Sequence, residues 1–104
     1  MDGEKRQGPR SFAFAEVAFD HNGMRYHGRI NDLSSGGLYI DTINPLPEGS
    51  SVSFQFNLPG DESEHLLSGE GQVVWMAHMQ GMGISFARLS DDDRDRLRAY
   101  LSHR

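Results

Sequence analysis

Apolar and polar residues alternate most cleanly at Val52, Phe54, Phe56 and Leu58, separated by Ser53, Gln55 and Asn57. A period of two is the mark of a strand with one face turned to a core. The same alternation over Phe12–Phe19 sets Ala13, Ala15, Val17 and Phe19 on one parity and Phe12, Phe14 and Glu16 on the other. Asp20-His21-Asn22-Gly23 then reads as a hairpin turn, since Asn-Gly accepts the left-handed backbone that tight hairpins need. A second strand follows over Met24–Ile30, with Met24, Tyr26, Gly28 and Ile30 sharing a parity. Asn31–Gly37 is polar and glycine-rich and is read as a loop.

Leu38-Tyr39-Ile40 resumes an extended run, and Asn44-Pro45-Leu46-Pro47-Glu48-Gly49 breaks it. A second loop is expected at Pro59–Glu64. Strands over Leu67–Met76 and Met82–Phe86 flank a turn near Gln80-Gly81. The period changes only at the end of the chain. Ser90 is placed as an N-cap, with Asp91, Asp92 and Asp93 suited to the positive end of a helix dipole. Leu97, Tyr100 and Leu101 form one stripe at i, i+3 and i+4, while Arg94, Arg96 and Arg98 face elsewhere or lie toward the C-terminus. The prediction is a mostly β fold: a small six- to seven-stranded antiparallel barrel with a C-terminal helix at about 91–102. The expected organisation is a flexible arm over 1–11 and one barrel domain over 12–102.

With 104 residues there is room for one core. The net charge of −5 argues against a general binder of nucleic-acid polymers, which needs a basic field to displace counterions. The basic charge is local instead, at Lys5, Arg6 and Arg10. There is no cysteine, so neither a disulfide framework nor a thiolate metal site is expected. The five histidines show no ligand spacing, and no metal or cofactor is expected. No apolar run approaches the roughly 20 residues that span a bilayer. The polar N-terminus has no secretory character, so a cytoplasmic location is expected.

Two short patterns exceed what a barrel needs. Arg6-Gln7-Gly8-Pro9-Arg10 is R-x-x-x-R, just ahead of the first strand. Asp32-Leu33-Ser34-Ser35-Gly36-Gly37 contains D-x-S-x-x-G as Asp32, Ser34 and Gly37. A guanidinium presents paired donors in a fixed fork and a flat face, a carboxylate is a strong acceptor, Ser34 adds a small hydroxyl, and Gly37 allows a close approach or an unusual backbone angle. Read blandly, the arginines are a solvated tail and the second motif is an Asx-type turn closing a hairpin.

In this order and at this separation, the two motifs resemble the signature of the bacterial PilZ domain family. Gly71-Gln72-Val73-Val74-Trp75, Gly81-Met82-Gly83-Ile84-Ser85-Phe86 and the Ser-capped acidic helix start extend the resemblance over nearly the whole chain. It implies a β-barrel receptor for cyclic di-GMP, not an enzyme, with Arg6, Arg10, Asp32, Ser34 and Gly37 at the ligand and Lys5 secondary. It also implies an arginine arm that closes over the dinucleotide and a downstream protein partner. The alternative is a PilZ-like adaptor that binds protein alone. Catalysis has little support, since Ser34 beside Asp32 has no histidine at a useful spacing. Trp75 is read as core or rim packing in preference to a base-stacking platform, and Met76, Met79 and Met82 as core packing.

Overall fold

The computed structural model describes residues 15–58 and 66–102, together with the backbone of Arg10–Ser11. Seven strands and one helix follow in chain order: β1 (Arg10–Ser11), β2 (Ala15–His21), β3 (Met24–Ser34), β4 (Gly37–Asp41), β5 (Ser51–Phe56), β6 (Leu67–Ala77), β7 (Gly81–Leu89) and α1 (Asp91–Ser102). All pairings are antiparallel. The strands run β3-β2-β5-β6-β7-β4, and β4 returns to β3, so six strands close a barrel. The short β1 is appended to the far end of β3.

Alternation dictates what fills the barrel. Val17 and Phe19 of β2, Val52, Phe54 and Phe56 of β5, and Ile40, Val73, Met82 and Ile84 from the other strands are all buried. Full burial of each such side chain stabilises the fold by roughly 1.5–3 kcal/mol. Leu97 and Leu101 of α1 join this same cluster, and Tyr100 packs against it. The helix therefore covers the core with the stripe that its spacing predicts.

Local signals hold where the backbone demands them. Asn22 and Gly23 have φ of 52° and 81°, the pair of positive angles that a two-residue hairpin turn requires. The Asp93 N–H donates to Ser90 Oγ at 3.1 Å, so Ser90 caps α1. Asp93 itself is buried; its carboxylate accepts from the Ser68 N–H at 3.2 Å and from Arg96 Nη1 at 3.1 Å. It ties the helix start to the start of β6. None of the three arginines of α1 lies in its last turn; Arg98 instead bridges Asp95 at 3.5 Å.

Several expectations change. The expected loop over Asn31–Gly37 is mostly strand: β3 runs on to Ser34, and only Ser35–Gly36 turn. Ile30 and Leu33 both point inward although they are three residues apart. The ladder absorbs the extra residue as a register shift between Ile30 and Asp32. Such a bulge turns two consecutive polar side chains outward, which in sequence looks like a loop. The arm expected over 1–11 ends in a strand, since Arg10–Ser11 form β1. Of the strand expected from Phe12, the described part is Ala15–His21; residues 12–14 lie outside the described residues, as does the whole of the expected loop at Pro59–Glu64. Of the three methionines expected in the core, Met82 is buried and Met76 half-buried, but Met79 is exposed. It sits at the tip of the β6–β7 turn with φ of 61°. No described helix is long and apolar enough to cross a membrane.

Candidate functional site

The D-x-S-x-x-G residues are brought together by the β3–β4 connection. Ser34 ends β3, and its Oγ donates to the Gly37 carbonyl at 3.3 Å while accepting from the Gly36 N–H at 3.3 Å. The hydroxyl thus builds the turn and keeps one lone pair for a ligand. Gly37 begins β4 and is not among the residues of positive φ. Space, not angle, requires the glycine. A Cβ there would lie on the Ile84 carbonyl oxygen and within 3.1 Å of the Ile84 carbonyl carbon, because β4 crosses close to β7.

Asp32 is half-buried on the outer face, beside the bulge. Its neighbour Asn31 donates from Nδ2 to both carboxylate oxygens of Asp41, at 2.9 Å each. This link fixes the bulge to β4 and so sets where Asp32 stands. Asp32 begins a row across the barrel wall: it faces Tyr39 on β4, Tyr39 faces Gly83 on β7, and Gly83 faces Trp75 on β6. Neighbours in sequence of this row, Leu38, Ile40, Met82 and Ile84, point inward, so the row itself looks outward. Tyr39 and Trp75 pack as a tilted pair with ring centroids 5.7 Å apart. Burial pushes the Tyr39 phenol above the usual tyrosine range, and the charge of Asp41 adds to the effect. The phenol is therefore a hydrogen-bond donor throughout the neutral range.

A concavity of about 310 Å³ lies on part of this wall, lined by Asp32, Ser34, Tyr39, Val74, Gly83 and Ser85 among others but not by Trp75. Another, of about 450 Å³, includes Arg29, Asp41, Ile43 and Met79 and contains no residue of either motif. The smaller one is the better candidate site, because it holds Asp32, Ser34 and Gly37 together beside Tyr39.

The other motif reaches the same place through its last residue. Arg10 pairs with Ser34, and Ser11 with Leu33, in the β1–β3 register. Lys5 and Arg6 lie outside the described residues. Sequence reasoning missed Asn31, Tyr39 and Trp75 as members of this wall. Trp75 is rim, not core, at 50% exposure. A shift between Val73 and Trp75 turns Val74 and Trp75 outward together. The available sequence signal was the apolar triplet Val73-Val74-Trp75, which fixes no parity. Among the described residues, no cluster of three or more histidine, aspartate or glutamate side chains could hold a metal ion.

A closed antiparallel barrel capped by one helix, with a polar turn and a short strand side by side on its wall, defines a small β-barrel binding domain. The PilZ domain family model matches residues 4–103, and the chain belongs to that family. A comparison with curated proteins finds no match in sequence. Among solved structures, the chain is similar to the Bacillus subtilis inhibitor of motility (MotI/DgrA), with TM-score 0.82 and 18% identity. The match covers 96% of this chain and 51% of that one, so the chain spans about half its length. The PilZ domain of CeSA from a cellulose-synthesizing bacterium gives TM-score 0.67 and 18% identity over 90% of this chain and 95% of that one. The Borreliella burgdorferi PlzA protein, solved in complex with c-di-GMP, gives 0.70 and 16% over 94% and 41%. At these identities the likeness is one of fold.

Proposed function

We propose that this chain is a receptor for cyclic di-GMP that passes its signal to a protein partner. The observation that carries the reading is the pairing of Arg10 with Ser34. It joins the end of R-x-x-x-R to the heart of D-x-S-x-x-G, two motifs otherwise separated by a whole hairpin. Membership of the PilZ family supports the ligand class, as does a fold shared with PlzA, itself solved with c-di-GMP. In this reading Asp32 accepts from the N1 and N2 hydrogens of one guanine, and Ser34 offers its remaining lone pair. Arg6 and Arg10, with Lys5 in support, supply charge-assisted bonds to phosphate or guanine.

In this reading ligand binding orders the rest of the arm, ahead of the Arg10–Ser11 strand that already pairs with β3, and pins it to the barrel. Ordering costs about 1–2 kcal/mol per residue, which charge-assisted bonds offset. The pinned segment presents a changed surface, and a partner reads it. The motility role named for MotI/DgrA is in keeping with an output of this kind. No reaction is assigned: the domain is a receptor, not an enzyme, and it needs no cofactor or metal beyond its ligand.

Titration calorimetry of the wild type, Arg10→Ala and Asp32→Ala with cyclic di-GMP tests the assignment. Wild-type heat that both variants lose supports it. Equal binding by all three moves the ligand elsewhere. A silent wild type that still captures a protein partner leaves the protein-only adaptor.

A further inference from the structure

The two most exposed large apolar side chains among the described residues are Ile43, at 71%, and Met79, at 62%. Both line the concavity of about 450 Å³ that holds no residue of either motif. Singly such residues are ordinary; two of them around one hollow mark a contact surface. They are far apart in sequence, and one hydrogen bond brings them together. The Thr42 N–H donates to the Gln80 carbonyl at 3.0 Å, fastening the end of β4 to the β6–β7 turn. Thr42 is itself buried, and its Oγ1 accepts from the Asn44 N–H at 3.0 Å. Ile43 and Met79 are thus held in place before anything binds, which reduces the ordering that binding requires.

Met79 is also strained where it stands. Its φ of 61° is uncommon for a residue with a long side chain, and glycine would serve the turn without strain. A solvated tip gains nothing from a thioether. A binding surface does, since methionine is unbranched and adapts to what it touches. The rim of the hollow has a sign. Arg29 stands opposite Glu16 on β2 and opposite Asp41 on β4, and all three line the hollow. Two carboxylates therefore answer one guanidinium, and the whole chain carries −5 with histidine neutral. A second copy would bring the same negative excess to the same place, and an anionic bilayer would be repelled in the same way. A protein segment with an apolar side chain beside lysine or arginine meets both the hollow and its rim.

We propose that the hollow between Ile43 and Met79 is where the protein partner docks, and that the partner presents an apolar anchor flanked by basic side chains. Asp41 belongs to this rim and also accepts both Asn31 hydrogen bonds from the β3 bulge. The docking surface is thereby joined to the strand segment that presents Asp32. This inference rests on the partner half of the reading above and names the surface and the chemistry that it recognises.

A phage-displayed library of random peptides is panned against the full chain, with and without cyclic di-GMP, and synthetic peptides from the enriched clones are titrated by calorimetry. The enriched peptides are expected to share an apolar residue next to lysine or arginine, and to bind more weakly as salt rises. Ile43→Ser and Met79→Gly are each expected to weaken them on the order of tenfold, and Glu16→Lys several-fold. Met79→Gly relieves the backbone and is expected to melt no lower than the wild type, so a lost site is not mistaken for a lost fold. Met24→Ser, at an apolar residue 58% exposed but outside the hollow, is expected to bind as the wild type does. No enrichment, acidic peptides, or equal binding by Ile43→Ser and Met79→Gly overturns the docking surface. So does a dimer, or attachment to phosphatidylglycerol vesicles, that these two variants abolish. Peptide binding by a chain that gives no heat with cyclic di-GMP sinks the receptor reading and leaves the surface; heat with cyclic di-GMP but no bound peptide does the reverse.

Discussion

Arg10 and Ser34 stand opposite each other in the β1–β3 register, so the two motifs meet at a single residue pair. Adjacent groups that share a ligand do not act independently. On cyclic di-GMP affinity, Arg10→Ala and Ser34→Ala are therefore expected to be non-additive, with a coupling of about 0.5–3 kcal/mol. A double-mutant cycle by calorimetry measures it. Strict additivity would mean that the two residues do not serve one ligand.

Gly37 belongs to the ligand motif by sequence but to the barrel by geometry. A methyl group at this position lands on the Ile84 carbonyl and lies 3.3 Å from Ser85 Cα. Backbone cannot swing aside as a side chain does, so β4 must lift from β7. Gly37→Ala is expected to destabilise the fold by about 1–3 kcal/mol, the usual cost of overpacking. A lower urea midpoint with unchanged slope is the expected result; a full-stability variant that has lost only ligand binding would contradict it.

Asp93 answers a different need. Its buried carboxylate receives the Ser68 N–H and Arg96 Nη1, and Asp93→Ala leaves that N–H without its acceptor. A loss of about 1–3 kcal/mol is expected, read as a lower thermal midpoint. Asp93→Asn keeps an acceptor oxygen and should lose less. Ser90→Ala, which removes the cap, should cost about 1 kcal/mol.

The barrel was legible in the sequence wherever side chains alternate strictly, as at Val52–Leu58, and the helix wherever a capping serine precedes an i, i+3, i+4 stripe. The β3 bulge was not. Ile30 and Leu33 are inward residues three apart, and the polar pair between them imitates a loop. The spacing was the available signal, but it has meaning only once the strand is known to continue. The motif pair could be seen as order and separation; that Arg10 meets Ser34 depends on strand register. The Tyr39–Trp75 contact is more remote still. It requires β4, β7 and β6 to be neighbours in that order, and nothing local encodes a pairing between residues so far apart in the chain.

Tyr39 ties the site to alkaline pH. Burial and the Asp41 carboxylate raise its folded pKa above the ordinary phenol value, which is about 10. The unfolded chain gives up its proton first. The stabilisation is therefore complete below about pH 10 and is lost as pH rises through the folded value. Tyr39→Phe removes this titration. Its stability is expected to fall less steeply with pH than that of the wild type above pH 10, measured by urea unfolding across the alkaline range. Identical alkaline slopes would place the phenol in an environment no different from water.

The β3 bulge offers the sharpest separation of fold from site. Removal of Asn31 leaves Ile30, Asp32 and Leu33 in strict alternation, with both apolar residues still inward and Asp32 still outward. The ladder beyond the bulge already pairs Asp32 with Tyr39, so the core needs no new partner. What disappears is the double hydrogen bond from Asn31 to Asp41 and, with it, the local twist that a bulge imposes. The barrel of the deletion variant is expected to persist, with a cooperative melt, while cyclic di-GMP affinity falls at least tenfold, about 1.4 kcal/mol. Asn31→Ala keeps the bulge and loses only the link to Asp41, so it should fall between the wild type and the deletion. Were the deletion to bind as tightly as the wild type, the bulge would be a device of barrel closure, and Asp32 would owe its position to the strand alone.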